Sequence, residues 1–233
     1  MLDLNRETDL VVVLDVDTLD EALAIVDACG GCDWFKAGSQ LFTRTGPECV
    51  AALKARGKRV FLDLKFHDIP NTVAHAARAA ADLGADLITL HALGGSRMIN
   101  AAREAVEGSQ TRILAVTILT SHSEAALRED LGLHETSLAA VGRLARLAVG
   151  AGAHGVVCSP REIVPVREIL GQDALVVTPG IRPAWASKDD QERVMTPAEA
   201  RAAGADLIVV GRPILKHENP AEAVASIREE LRG

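Results

Sequence analysis

The run Asp63-Leu64-Lys65-Phe66-His67-Asp68-Ile69-Pro70 gathers two carboxylates and an ammonium into a short stretch of chain. Asp63 and Lys65 stand at i and i+2, so on a strand with a period of two they share one face. Held together away from water, such a pair is either a structural ion pair or a device for placing charge and a proton. The second role is the commoner one, through the perturbed charge states of such groups. Asp68 follows past the strand, and Pro70 fixes the turn that aims it. Lys36 sits inside the apolar run Trp34-Phe35-Lys36-Ala37-Gly38, where an ammonium needs a partner; Asp63 on the neighbouring strand is the expected one. Asp15 closes the first apolar run, and Thr117 and Thr120 close the fifth.

A second chemistry is legible nearer the C-terminus. Thr178-Pro179-Gly180-Ile181-Arg182-Pro183 and Val210-Gly211-Arg212-Pro213 each join a glycine, whose backbone N–H can approach an oxyanion closely, to an arginine with a bidentate fork. Together they read as a phosphate site; the alternative is arginine on solvated loops. His91 ends a strand and reads as a structural histidine. Cys29-Gly30-Gly31-Cys32 has the spacing of a redox or metal pair, but no second pair follows, so ordinary thiols at a helix end are expected.

These residues need a scaffold, and the alternation of the chain supplies one. Short apolar runs at 10–16, 34–37, 60–66, 87–92, 113–119, 155–159, 174–178 and 207–210 read as strands buried on both faces. Helical patterns lie between and after them, at 19–29, 47–56, 72–83, 96–107, 136–151, 160–170, 197–203 and 220–231. Eight βα units predict a (β/α)₈ TIM barrel, a single domain over 1–233. The alternative, a doubly wound open sheet, would carry a Gly-rich phosphate loop after its first strand, and Leu14-Asp15-Val16-Asp17 stands there instead. The two long connections, 121–135 and 180–195, fall at the C-terminal ends of strands, where barrel enzymes build sites and lids.

The 233 residues are 48% hydrophobic, with a net charge of −7. Mean hydropathy is +0.14, which fits a globular chain. The negative balance argues against nucleic-acid binding, though not against a local cationic pocket for one phosphate. No apolar run approaches a membrane span, and the first residues lack the pattern of a secretory leader. A reducing cytoplasm is the expected setting.

With its continuation Asn71-Thr72, the run from Asp63 resembles the signature of the orotidine 5′-monophosphate decarboxylases. The resemblance extends through Leu14-Asp15, Lys36, His91-Ala92-Leu93-Gly94-Gly95, Val116-Thr117-Ile118-Leu119-Thr120-Ser121 and the two Gly-Arg runs, in order along nearly the whole chain. The Asp63, Lys65, Asp68 core is shared with other sugar-phosphate barrels; Ile69-Pro70 and the later runs are more specific. The resemblance implies conversion of orotidine 5′-monophosphate to uridine 5′-monophosphate and CO₂ without cofactor or metal. It implies Lys65 as proton donor to C6, Asp63 beside the substrate carboxylate, and Lys36 holding Asp63 and a ribose hydroxyl. Asp15 would bind the ribose and Thr120 the pyrimidine edge, while Arg182, Gln191, Gly211 and Arg212 would close on the phosphate. Gln191 is placed by spacing alone. Asp68 and Thr72 would reach into the site of a partner subunit, making a homodimer with shared sites.

Two other readings compete. A magnesium-dependent sugar-phosphate decarboxylase or aldolase would use the same core, but resembles a site with an acidic metal ligand at the end of strand two, where Lys36 stands. A nucleotide sensor would need the Gly-Arg runs and not two interior lysines alternating with carboxylates.

Overall fold

The computed structural model describes residues 7–186 and 195–232. Eight parallel strands run in chain order: β1 (Asp9–Val13), β2 (Trp34–Gly38), β3 (Arg59–Phe66), β4 (Leu87–His91), β5 (Arg112–Val116), β6 (Gly155–Val157), β7 (Leu175–Pro179) and β8 (Leu207–Val210). β1 pairs with both β2 and β8, so the sheet closes into a barrel and has no free edge. This is the expected (β/α)₈ architecture, and it excludes the open sheet.

Two apolar shells hold it together. Inside, Val11, Trp34, Phe61, Leu87, Leu114 and Leu207 come from six different strands and meet at the barrel axis. The larger shell lies between strands and helices. There the residues of opposite parity, such as Val12, Phe35, Leu62 and Ile88, pack on helix faces. The helix Pro70–Asp82 shows how those faces are written: Pro70 opens its first turn, and Val73, Ala77 and Ala80 recur at helical spacing and are buried. Helix starts are set locally as well. Thr18 with Glu21, and Thr196 with Glu199, form reciprocal capping boxes before Leu19–Ala28 and Pro197–Ala203. At the N-terminal end of the barrel, Arg167 and Asp206 form a buried ion pair at 2.7 Å, and the guanidinium also donates to the carbonyls of Ala174 and Gly204.

The boundaries correct several expectations. β1 stops at Val13, so Asp15 lies beyond the strand rather than at its last position. β5 stops at Val116, not at 119, so Thr117 and Thr120 also lie past their strand. Thr117 is fully buried, and both its N–H and its Oγ1 donate to the Val157 carbonyl (3.2 and 3.0 Å). β6 is shorter than expected because the Ser159 N–H turns to the Glu162 carboxylate (2.8 Å) and starts the next helical turn. Short helices at Ser39–Thr45, Glu124–Glu129 and Arg212–Leu215 were not expected; they lie at or beyond the C-terminal ends of β2, β5 and β8, where apolar periodicity is too brief to read. Among the described residues no helix is long and apolar enough to cross a membrane.

Candidate active site

A cavity of about 360 Å³ opens at the C-terminal mouth of the barrel. The inward parity that places Val11 and Val13, Trp34, and Phe61 in the interior carries on along each strand. It brings Lys36 and Asp63 to the cavity wall, and Asp15, two residues past the end of β1, lines the same wall. Lys65, Thr120, Arg182, Gly211 and Arg212 line the same space, and Val116, Ile118 and Val157 form an apolar side. A polar wall facing an apolar one suits a flat heterocycle carrying charged substituents.

Asp63 is the centre of the charge array. Lys65 Nζ lies 2.9 Å from its Oδ1 and 2.8 Å from its Oδ2, and Lys36 Nζ lies 3.2 Å from Oδ2. Lys36 also lies 3.6 Å from Asp15 Oδ1, so carboxylates and ammoniums alternate from Asp15 through Lys36 and Asp63 to Lys65. Gly38 leaves the room for this: a Cβ there would stand 2.8 Å from Lys36 Nζ and 3.3 Å from Asp15 Oδ1. The partnership of Lys36 with Asp63, expected from adjacent strands, is present.

Burial alone would raise the Asp63 carboxyl pKa. The charges of Lys36 and Lys65, with hydrogen bonds from Lys65 and Thr89, outweigh burial and hold it below the ordinary carboxylate range. The sign follows. Ionised Asp63 stabilises the fold above its unfolded value, about pH 4, and that contribution is lost as pH falls through the lower folded value. Asp63→Asn is therefore expected to be less stable than the parent at neutral pH and to lose less stability between about pH 5 and pH 3. Urea midpoints across that range check this; parallel slopes for the two proteins would contradict it.

The same-face reading of Asp63 and Lys65 needs a correction of cause. Leu62 pairs with Ile88 and Phe66 with Leu90, so β3 bulges between those two pairs and simple alternation fails there. Lys65 has φ 51°, the one non-glycine residue with positive φ among the described residues. That conformation is costly for a residue with a Cβ, and such strain gathers at functional sites. The two charges share the cavity because the chain bulges there.

Thr89 was not singled out from the sequence. It is fully buried on β4; its Oγ1 donates to Asp63 Oδ1 (2.8 Å) and accepts from the Lys65 backbone N–H (2.9 Å). The available signal was its parity: Leu87, Thr89 and His91 alternate inward along one strand.

On the side away from the lysines, β7 ends at Pro179 and turns through Gly180, whose φ of 80° suits glycine, into buried Arg182. Gly211 follows β8, and a Cβ there would stand 3.3 Å from Val13, so its backbone lies close against β1. Arg182 and Arg212 thus stand beside two glycine turns, as a phosphate site requires.

Not every candidate enters the cavity. Asp68 is exposed, its carboxylate accepting from the Ile69 N–H (2.6 Å), and Thr72 is exposed on the next helix; neither lines the cavity within one chain. Gln191 lies outside the described residues. His91 sits at the end of β4 with its ring 5.4 Å from that of His67; burial, then the charges of His67 and Lys65, lower its pKa and favour the neutral ring. Cys29 and Cys32 are buried free thiols, both pushed up to about 11 by burial, which disfavours the reactive thiolate.

Residues 8–227 match the family described as orotidine 5′-phosphate decarboxylase / HUMPS. An orotidine 5′-phosphate decarboxylase of Alkalilimnicola ehrlichii is 54% identical over 226 residues, 95% of each chain. One of Halorhodospira halophila is 56% identical over 198 residues, 84% of each. The crystal structure of orotidine 5′-phosphate decarboxylase from Lactobacillus acidophilus matches with a TM-score of 0.87 at 38% identity, covering 97% of this chain and all of that one. The match begins before β1 and runs into the last helix, so it takes in every strand that carries a charge of the array: the chain belongs to the orotidine 5′-phosphate decarboxylase / HUMPS family.

Proposed function

We infer that the protein decarboxylates orotidine 5′-monophosphate to uridine 5′-monophosphate and CO₂, a step of pyrimidine biosynthesis, with no cofactor. The observation that carries this reading is the array itself: Asp63, with its side chain 11% exposed, lies between the ammoniums of Lys36 and Lys65 in a cavity with an apolar wall. The family match and relatives above half identity support it.

In this reading the bond between C6 and the carboxylate breaks and its electron pair stays on C6. The Lys65 ammonium stabilises that charge and then transfers a proton from Nζ to C6. Asp63, beside the bound carboxylate, repels it; the repulsion ends when CO₂ leaves uncharged. Lys36 holds Asp63 and a ribose hydroxyl, Asp15 binds the ribose, and Thr120 meets the pyrimidine edge. Arg182, Gly211, Arg212 and Gln191 hold the phosphate. Asp68 and Thr72 complete the site of a partner subunit, so the working unit is a homodimer; their exposure outside the cavity of their own chain supports this. A reducing cytoplasm suits the four buried free cysteines.

Incubation with orotidine 5′-monophosphate, following uridine 5′-monophosphate with and without EDTA, tests the reading. Turnover that survives chelation is expected. Turnover that EDTA abolishes would favour the magnesium-dependent sugar-phosphate chemistry, which the Lys36 ammonium opposes by repelling a divalent cation. Arg212→Ala is expected to weaken nucleotide binding roughly 100-fold, as loss of charge-assisted hydrogen bonds to phosphate would, while leaving nucleoside binding nearly unchanged. Calorimetric titration with uridine 5′-monophosphate and with uridine makes the comparison; equal losses would remove Arg212 from the phosphate site.

A further inference from the structure

The bulge of β3 leaves a vacancy in the sheet ladder. Between the pairs Leu62–Ile88 and Phe66–Leu90, β3 carries three residues where β4 carries Thr89 alone. The part-buried N–H of Lys65 therefore takes its acceptor from outside the ladder, because leaving it unpaired is costly. Thr89 Oγ1 supplies it at 2.9 Å. The same hydroxyl donates to Asp63 Oδ1 at 2.8 Å. A hydroxyl has one proton to give and lone pairs to receive with, so both directions are fixed: the proton goes to the carboxylate, and the amide points at a lone pair. Thr89 has no exposed surface, so its hydroxyl makes both bonds shielded from solvent on its own side. One oxygen thus ties the backbone of Lys65 to the side chain of Asp63. The loop between those ties contains the left-handed φ of 51° that aims Lys65 Nζ back at the same carboxylate.

We propose that Thr89 is a positioning residue for the decarboxylation: its hydroxyl holds the β3 bulge so that the Lys65 ammonium and the Asp63 carboxylate keep their mutual geometry at the reacting carbon. This rests on the reading of Lys65 as proton donor. Thr89 touches no substrate in this scheme and acts through both catalytic groups. A Val side chain keeps the branched shape and packing but removes the donor and the acceptor together, and the bulge then relaxes. Displacement of reacting groups by about 1 Å costs on the order of 100-fold in rate.

Thr89→Val is expected to lower kcat roughly 10- to 100-fold, with KM for orotidine 5′-monophosphate and affinity for uridine 5′-monophosphate nearly unchanged. Thr89→Ser, which keeps the hydroxyl, should restore most of the lost rate. Equal losses in the Val and Ser variants would overturn the proposal, since the methyl and not the hydroxyl would then matter. So would full kcat in Thr89→Val. Should the Val variant not fold, Thr89→Ala against Thr89→Ser carries the same comparison.

A second readout needs no turnover. The Asp63 carboxyl titration, followed by ¹³C NMR without substrate, is expected to move to higher pH in Thr89→Val and to stay in place in Thr89→Ser. Lys36, Lys65 and His91 are the other titratable groups facing Asp63, and all remain in both variants. An unmoved titration overturns the positioning role even where the wild type decarboxylates. A moved titration in a protein that does not turn over orotidine 5′-monophosphate overturns the reading of the reaction and leaves the positioning of Asp63 and Lys65 standing.

Discussion

Lys65→Ala is expected to lower kcat by about 10⁴-fold or more, because one group supplies both the charge stabilisation of the carbanion and the proton that quenches it. At 1.36 kcal/mol per decade that is about 5.5 kcal/mol of transition-state stabilisation. The fold should survive. Asp63 keeps Lys36 at 3.2 Å and the Thr89 hydroxyl at 2.8 Å, so the buried carboxylate is not abandoned. Alanine meets the positive φ at position 65 with about the same strain as lysine, since both carry a Cβ. Circular dichroism and the thermal midpoint should therefore match the parent closely while turnover disappears. Activity within tenfold of the parent in a folded Lys65→Ala protein would remove Lys65 from the chemistry.

The second large effect is a recovery. Asp68→Ala and Lys65→Ala homodimers should each be nearly inactive. Mixed through refolding, they should regain about one quarter of the parent activity per mole of protein. The count follows from two-fold symmetry: half the dimers are mixed, and each mixed dimer has one site with both substitutions and one with neither. The prediction separates a shared site from a local one. Were Asp68 to act within its own chain, every site in the mixture would carry one lesion and no activity would return. Native mass spectrometry confirms whether mixed dimers formed; their presence without recovery would contradict the shared site. The exposure of Asp68, Thr72 and the neighbouring Ile69 makes this stretch of surface the one to watch.

How far the residues spoke before the structure differs from one to the next. Lys36 and Asp63 were legible because strand period alone sends them inward, and Asp15 because, like them, it interrupts an apolar run. The barrel was legible because runs such as Leu207–Val210 are apolar on both faces and alternate with capped helices. Strand ends were less so: whether β5 stops at Val116 is settled by Thr117 hydrogen-bonding across to Val157, a long-range choice no local pattern reports. Lys65 is the sharpest case. Positive φ is usually signalled by glycine or asparagine, and here the backbone adopts it at a lysine because neighbouring strands hold it there. Thr89 was hidden as a single polar residue in Leu87–His91. Asp68 and Thr72 were placed by resemblance, and neither lines the cavity of its own chain.

The bulge in β3 also bears on transplantation. A designer moving this chemistry to another eight-stranded barrel would naturally copy Lys36, Asp63 and Lys65 onto regular strands. On a regular β3 the register would stay even, no residue would take the left-handed turn, and the Lys65 amide would spend its hydrogen bond on the ladder. The portable unit is instead a pair of segments, 62–66 with 88–90, whose unequal lengths are the feature to be inherited. A graft should be judged first by whether that mismatch survives and only then by whether the charges are present.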